Sequence, residues 1–355
     1  MLTRPAALLF LLLAMAPLAC ARDVRIGVLG IFHPRQIVLN AAPGDVIIVK
    51  AAGETFALES GRGTGGALLH VSSSGILVEV GGRALDTSEV QATSRKGDAA
   101  AFVLAIPGKI SRTYRGTLLV KAVDGLLVPV VNMDLETAVA TAVQAESAPD
   151  LPFEALKAQA VVTRSYYIAG RGRHHDFDFC DLTHCQLLQG PPDPQSPAVR
   201  AAQATRGLVI AYENVPVAAM FTPSCGGRTR TPAELGMPSN GYPYFAVLCD
   251  YCHSNPVRWR RQISPKDAAN LAGTGEAGRL AVGRRLGWDA VPSNNFAMHD
   301  EGGEVILEGE GKGHGIGLCQ RGAGAMAEAG ASFREILSHY FPNTTLTIPR
   351  PPRSS

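Results

Sequence analysis

The sequence has few aromatic residues and almost no excess of charge of either sign. Aromatic side chains make up 6% of the 355 residues, and the formal net charge is +2. Binding of nucleic acid would call for a basic stripe, and binding of single strands for a platform of stacking aromatics. No apolar run after the N-terminal segment is long enough to span a bilayer. We therefore expect no nucleic-acid partner and no membrane span beyond the N-terminus.

The first residues have the pattern of a secretory signal. Arg4 supplies a positive charge, the apolar run AALLFLLLAMAPLA begins at Ala6, and Ala19-Cys20-Ala21 has the small-x-small pattern of a cleavage site. We expect a signal peptide over 1–21 and an exported protein, periplasmic or extracellular. Two alternatives are a retained anchor and lipid attachment at Cys20.

The remaining chain has the pattern of an α+β protein. Short β-branched runs such as VRIGVLGI, GDVIIVKA and GTLLVKAV follow one another from 22 to about 130, separated by Gly, Pro and Asp. Residues 134–146 (DLETAVATAVQAE) have helical periodicity, with Asp134 as N-cap. A second helix is predicted over PFEALKAQAVVTRSYYIAG, with Pro152 in its first turn and Gly170 at its end.

Glu146 is a carboxylate on the apolar face of the first predicted helix. At 100° per residue it lies in line with Leu135, Val139 and Ala142. A glutamate that faces a core has a raised pKa, which suits a general acid near neutral pH. The alternative is a helix-end glutamate that turns outward to water.

The second helix carries two cations and two aromatic residues on one face: Phe153, Lys157, Arg164 and Tyr167. One interpretation is that Lys157 and Arg164 face a cleft, where they bind a substrate or tune Glu146. The other is a partly exposed edge, because long basic side chains extend their charge into water.

The segment RHHDFDFCDLTHCQ concentrates metal-ligating residue types. His174, His175, Cys180, His184 and Cys185 lie within it. Thiolates and imidazoles are the preferred ligands of Zn²⁺. Zinc binding is one interpretation, and a Cys180–Cys185 disulfide in an oxidising compartment is the other.

Two glycine-rich stretches, SCGGRT from Ser224 and GKGHGIG from Gly311, have the composition of loops that approach a ligand. Arg228 and His314 would then supply hydrogen bonds. The alternative is a pair of tight turns between strands. Cys249 and Cys252 form a CxxC pair without the βαβ context of a redox motif, which favours a structural role.

The order of these motifs resembles the stage II sporulation protein D family, which includes the amidase enhancers. The resemblance rests on VVNMDLE, AVQAES, LPFEALKAQAVVTRSYY, HHDFDFCDLTHCQ, ATRGLV, CGGRT, YPY, GKGHGIGLCQRGA and FREILSHYFP. It divides the chain into a β-rich region over 22–113, a catalytic domain over 114–345 and a flexible tail over 346–355.

Family members are similar to lytic transglycosylases, which cleave peptidoglycan glycan strands and leave a 1,6-anhydro end. The resemblance implies an enzyme with Glu146 as its catalytic residue, a structural zinc, and a cell-wall amidase as a further partner. It also implies a rival function, a non-catalytic glycan-binding module that stimulates an amidase. The implied zinc ligands are His174, Cys180 and Cys185, with His175 as competitor.

The family's other signature stretches imply a set of substrate-binding positions. These are Ser224, Gly226, Gly227, Arg228, His314, Gly315 and Gln320. Three residues depart from the family pattern: Ser147 replaces methionine, Cys319 replaces serine and Arg321 replaces tyrosine.

Four cysteines lie outside the predicted zinc loop. Because Cys225 and Cys252 flank family-like stretches and Cys249 and Cys319 look like additions, we expect the bridges Cys225–Cys252 and Cys249–Cys319. A Cys249–Cys252 bridge is the main rival. Convergence of all four would instead indicate a second zinc site.

Overall fold

The computed structural model describes residues 23–61, 65–95, 101–239 and 241–349. The expected signal peptide and Cys20 lie outside the described residues. The strands are β1 Asp23–Gly27, β2 Gln36–Ala41, β3 Val46–Ala51, β4 Glu54–Glu59, β5 Ala67–Ser72, β6 Gly75–Val80, β7 Arg83–Thr87, β8 Glu89–Ser94, β9 Ala101–Ile106, β10 Ile110–Arg115, β11 Thr117–Val123, β12 Leu126–Asp134, β13 Phe179–Cys180, β14 Val209–Tyr212, β15 Val215–Pro216, β16 Phe221–Thr222, β17 Arg258–Ile263, β18 Phe296–Glu301, β19 Glu304–Glu310, β20 Leu318–Cys319 and β21 Thr345–Thr347. The helices are α1 Leu135–Glu146, α2 Phe153–Ala169, α3 Pro197–Ala204, α4 Asp250–Ser254, α5 Pro265–Ala269, α6 Gly275–Leu286, α7 Gln320–Glu328 and α8 Phe333–Tyr340. The α+β class is confirmed.

Two large sheets form the N-terminal half. One has the strand order β13-β1-β12-β11-β8-β3-β4, and the other has the order β10-β9-β2-β5-β6-β7. Their strands alternate buried and mostly half-buried residues, and Ile37 and Leu39 of one sheet share a core with Ile47 and Val49 of the other. The pairing is antiparallel except at β13, which lies parallel to β1.

Helix α1 continues directly from this sheet. Asp134 ends β12 and caps the helix, since its carboxylate accepts a hydrogen bond from the Thr137 N–H at 3.0 Å. Val139 and Val143 belong to the same core as the sheet residues. The end of α1, and with it Glu146, is therefore fixed relative to the β-rich half.

Two further cores complete the chain. Helices α2, α7 and α8 enclose one of them, which contains Ile336, Tyr340 and four buried cysteines. A smaller core lies between the β17-β19-β18 sheet and α5 and α6. Within the part of the chain that the structure describes, no helix is long and apolar enough to cross a membrane.

The domain division stays a prediction. Residues 113 and 114, where the expected boundary falls, lie inside β10. Strands β11 and β12 then complete the seven-stranded sheet before α1 begins. At the other end, Leu346 and Thr347 pair with β14, so part of the expected tail is a strand.

Candidate active site and metal group

Glu146 is the last residue of α1, and its carboxylate is largely enclosed. Its Oε1 accepts a hydrogen bond from the Leu187 N–H at 2.7 Å. Burial raises the pKa of Glu146 to about 7, while the Leu187 hydrogen bond opposes that shift. No cation pairs with this carboxylate among the described residues. The group can therefore carry a proton near neutral pH and give it up.

A glutamine network fixes the backbone around Glu146. The Gln320 side chain, at the start of α7, donates to the Glu146 carbonyl oxygen at 2.8 Å and to Gln159 Oε1 at 2.9 Å. Ser147 Oγ donates to the same Gln159 oxygen at 2.9 Å. The end of α1 is thus tied to both α2 and α7. Ser147 therefore takes part in this network.

One face of α2 next to Glu146 is polar yet buried. Gln159, Thr163 and Tyr167 follow one another at four-residue spacing and are inaccessible to solvent. Gln159 Nε2, Thr163 Oγ1 and Tyr167 Oη have no hydrogen-bond partner among the described residues. Burial, and then the charge of Glu146, hold the pKa of Tyr167 well above its usual range. This face offers unused polar groups beside the candidate acid.

The predicted zinc ligands converge. One ligand atom from each of His174, Cys180, His184 and Cys185 lies within 4.8 Å of every other. Two sulfurs and two imidazoles make a donor set that suits tetrahedral Zn²⁺. The hydrogen bond between Cys180 and Cys185 is the chief cause that lowers the pKa of the Cys185 thiol to about 7 and raises that of Cys180 to about 12, so without a metal it favours the thiolate at Cys185 alone.

His184 joins this group although the sequence did not single it out as a ligand. The competitor His175 lies outside it, with its side chain 97% exposed and 3.1 Å from an Asp176 oxygen. The residues present therefore fit a zinc ion with one more protein ligand than expected.

A buried aspartate anchors the metal loop to the β-rich half. The Asp181 carboxylate accepts hydrogen bonds from the Leu29 N–H at 3.1 Å, from Arg112 at 3.1 Å and from the Tyr114 hydroxyl at 3.2 Å. Asp181 follows Cys180 directly, and Leu187, the donor to Glu146, comes two residues after Cys185. The loop that carries the metal ligands therefore also positions a contact of the candidate acid.

The structure does not bring Lys157 to Glu146. Its Nζ lies 2.5 Å from a Glu154 oxygen and over the rings of Phe153 and Phe333. Lys157 and Gln159 are two positions apart on α2, so their side chains point in directions about 160° apart. Since Gln159 faces the Glu146 region, the predicted role of Lys157 does not fit this position.

The surroundings of Arg164 also differ from those that the sequence predicted. Its side chain is fully buried and forms an ion pair with Glu136, with Arg164 Nη2 2.6 Å from Oε2 and Nε 2.9 Å from Oε1. The remaining donors bond Thr205 and the carbonyl oxygens of Ala202 and Leu208. A buried guanidinium with all its donors used cannot contact a glycan. Arg164 therefore has a structural role.

The first glycine-rich stretch is mostly internal. Ser224 is buried, its Oγ is 3.6 Å from Cys252 Sγ, and its backbone pairs with Lys312. Gly226 and Gly227 have φ of 74° and 101°, which a turn here requires. Burial of Ser224 does not fit the predicted substrate contact. The roles of the two glycines stay predictions.

Other predicted substrate-binding residues lie in separate surroundings. Arg228 is exposed and pairs with Glu234 at 2.6 Å. His314 accepts a hydrogen bond from the Ile316 N–H, and burial lowers its pKa to about 4, so its ring is neutral at pH 7. Gly315 has partners for both its N–H and its carbonyl. In the described part of the chain, only Gln320 of this predicted set is hydrogen-bonded to Glu146.

The four cysteines outside the metal loop form neither of the expected bridges. All described cysteines are free, and the sulfurs of Cys225, Cys249, Cys252 and Cys319 lie within 4.8 Å of one another. This convergence is the outcome that would favour a second metal site.

These features describe an α+β protein in which a largely enclosed glutamate, without a pairing cation among the described residues, lies near two cysteines and two histidines that could hold a metal ion. Residues 124–212 match the SpoIID family model, described as stage II sporulation protein. That range contains Glu146, His174, Cys180, His184 and Cys185.

Curated relatives agree with the family match. An uncharacterized protein of Brachyspira hyodysenteriae is 28% identical over 262 residues, which cover 64% of this chain and 70% of the relative. Stage II sporulation protein D of Bacillus amyloliquefaciens is 26% identical over 263 residues, covering 59% and 73%. The amidase enhancer of Bacillus subtilis is 24% identical over 274 residues, covering 55% of this chain and 38% of that protein. The predicted resemblance to the stage II sporulation protein D and amidase-enhancer family is confirmed.

Sequence reasoning missed three contributors to the site, Gln159, Asp181 and the Leu187 N–H, and it named His184 only among the metal-ligating residue types of the loop. Gln159 left a trace, since Gln159, Thr163 and Tyr167 recur at four-residue spacing on one side of α2. The Leu187 N–H left none, because a backbone donor has no residue-type signature.

Proposed function

We propose that this protein cleaves the glycan strands of peptidoglycan as a lytic transglycosylase, with Glu146 as its single acid and base. The observation that carries the proposal is the enclosed Glu146 carboxyl, whose pKa is raised to about 7 and which has no pairing cation among the described residues. The family match and the relative named amidase enhancer support a role at the cell wall, and the matched range includes Glu146.

The reaction needs one proton carrier in two successive roles. Protonated Glu146 donates to the glycosidic oxygen, and the C1–O bond breaks as an oxocarbenium-like centre develops at C1. The resulting carboxylate, which the Leu187 N–H stabilises, then takes the proton of the sugar's own C6 hydroxyl. The C6 oxygen bonds to C1 and closes the 1,6-anhydro ring. Glu146 ends protonated, so the cycle balances without a second carboxylate.

Zinc would be held by His174, Cys180, His184 and Cys185. A zinc ion bound there would cross-link the loop and would take no part in proton transfer. The loop delivers the Leu187 N–H to Glu146, so we infer a structural role for the metal.

The second candidate function is a glycan-binding module that stimulates a cell-wall amidase without cleaving glycan. A relative that is named amidase enhancer favours it. Both functions place the protein at the cell wall, which agrees with export to the periplasm or the extracellular space. The alternative is that the exported protein is held in the same place by a lipid attached to Cys20.

The deciding experiment is mass analysis of purified glycan strands after incubation with the protein. Anhydro ends support the transglycosylase, reducing ends indicate a hydrolase, and unchanged strands with measurable binding indicate the enhancer. Glu146→Gln serves as the inactive variant. Glu328→Gln is a matched control, because Glu328 also ends a helix but is exposed.

A further inference from the structure

The chain carries a second cluster of sulfur atoms that the proposed reaction does not use. It consists of Cys225, Cys249, Cys252 and Cys319, and all four side chains are buried. They come from three separate segments: the turn after β16, the start of α4, and the end of β20. The family match ends at residue 212, so the cluster lies outside it.

The spacing of the sulfurs fits a single tetrahedral ion. Four thiolates at the usual zinc–sulfur distance of about 2.3 Å lie about 3.8 Å from one another. Here every sulfur lies within 4.8 Å of the others, and Cys252 Sγ and Cys319 Sγ are 3.5 Å apart. Two disulfides would instead require two bonded pairs at about 2.0 Å.

Three of the four sulfurs have a group that can donate a hydrogen bond within reach. Cys319 Sγ accepts from the Cys225 N–H at 3.4 Å, Tyr340 Oη lies 3.4 Å from Cys249 Sγ, and Ser224 Oγ lies 3.6 Å from Cys252 Sγ. Such donors stabilise thiolates around a metal and orient them. Burying four thiolates without a compensating positive charge would cost a large free energy. A divalent cation bound between them removes most of that cost.

The absence of a side chain at Gly322 leaves space for the four cysteine sulfurs. A Cβ at Gly322, one turn after Cys319 on α7, would lie 2.5 Å from Cys249 Sγ and also meet the Tyr340 hydroxyl. A side chain at this position would push the sulfur out of its place.

We propose that Cys225, Cys249, Cys252 and Cys319 bind a structural Zn²⁺ ion, separate from the group at His174. The ion joins three chain segments and fixes the start of α7. Gln320, which follows Cys319 directly, is thereby held against the Glu146 carbonyl. The ion has no open coordination position and takes no part in chemistry.

The test is the zinc content of the full chain purified without chelators, measured by native mass spectrometry. We expect two zinc ions per chain. The double variant Cys180→Ser with Cys185→Ser should keep one, and cobalt bound to it should give the absorption of a tetrahedral four-thiolate site. Metal-free protein with a mass lower by four hydrogens would show two disulfides and overturn the proposal. A double variant that folds without zinc would overturn it too.

A glycine variant tests the same site without removing a ligand. Gly322→Ala should release the zinc of the four-cysteine site to a chelator at least about tenfold faster than wild type, as expected when the surroundings of a metal site are disturbed. Gly324→Ala is the matched control on α7, because its Cβ would meet only Leu151 Cδ1 at 3.3 Å and Pro152 Cδ at 3.8 Å. Equal release rates for both variants would contradict the proposed location.

Discussion

Helix α1 carries a glutamate near each end, and the two differ in their partners. Glu136, in the first turn, forms a two-point ion pair with buried Arg164 and also accepts from the Gly207 N–H. Glu146, at the last position, accepts one backbone hydrogen bond and pairs with no cation among the described residues.

The difference shows what turns a buried carboxyl into an acid. At Glu136 both carboxylate oxygens are engaged by the Arg164 guanidinium, so this carboxylate serves as the partner of a buried cation. At Glu146 desolvation is the larger effect, so its pKa rises to about 7. Burial alone therefore does not distinguish the two glutamates, whereas the presence of a cation at Glu136 and its absence at Glu146 among the described residues does.

Glu146→Gln should produce the largest change in activity. Gln accepts the Leu187 hydrogen bond but cannot donate a proton to the leaving oxygen, so cleavage should fall by about 10²–10⁴-fold. Release of anhydro ends over time measures the effect. A variant within tenfold of wild type would remove Glu146 from the mechanism.

Glu136→Gln should produce the largest loss of stability. It leaves the buried Arg164 guanidinium without its counter-charge, which costs about 3–5 kcal/mol. Urea unfolding measures this free energy. Replacing the pair together, by Glu136→Leu with Arg164→Met, should cost less than the single change. Unchanged stability with lost cleavage would instead assign Glu136 to the active site.

The pH dependence of stability should report the raised pKa of Glu146 directly. The pKa of Glu146 lies above its ordinary value of 4.5 in the folded state, so the folded chain holds its proton more tightly. Wild type should therefore lose stability relative to Glu146→Gln as pH rises from 4.5 to about 7. The total change should be about 3 kcal/mol, since each pKa unit is worth about 1.4 kcal/mol. A constant difference between the two proteins over that range would contradict the raised pKa.

Gln320→Ala should have the smallest effect of the four. It removes the hydrogen bonds to the Glu146 carbonyl and to Gln159, worth about 1 kcal/mol each at most. As a positioning residue, Gln320 should affect kcat more than KM. Gln144→Ala is the control, because Gln144 lies exposed on α1. An equal effect of the two variants would leave Gln320 without a role.

Local sequence pattern predicted the elements whose causes are local. The period of α1 placed Glu146 on the apolar face, and Asp134 marked the helix start, because capping and periodicity act over a few residues. The metal loop was equally evident, since its ligands lie within twelve residues of one another.

Features set by tertiary packing were not predictable in the same way. The rotation of α2 about its axis decides that Gln159 faces the site and Arg164 faces Glu136, 28 residues away in sequence. The Cys225 amide meets Cys319 across 94 residues, so spacing gives no hint of that contact. Sequence alone placed Glu146 on the apolar side of α1, but it proposed Lys157 and Arg164 as its neighbours on α2 and did not indicate Gln159.

The most direct test of the central claim is the titration of the Glu146 carboxyl carbon by NMR, assigned by comparison with Glu146→Gln. The account predicts a midpoint near 7, because burial disfavours the charged form and no cation among the described residues offsets it. Under the same conditions cleavage should decline as pH rises through that midpoint. A midpoint at the ordinary value of 4.5 would contradict the account, because Glu146 would then hold no proton to donate at neutral pH.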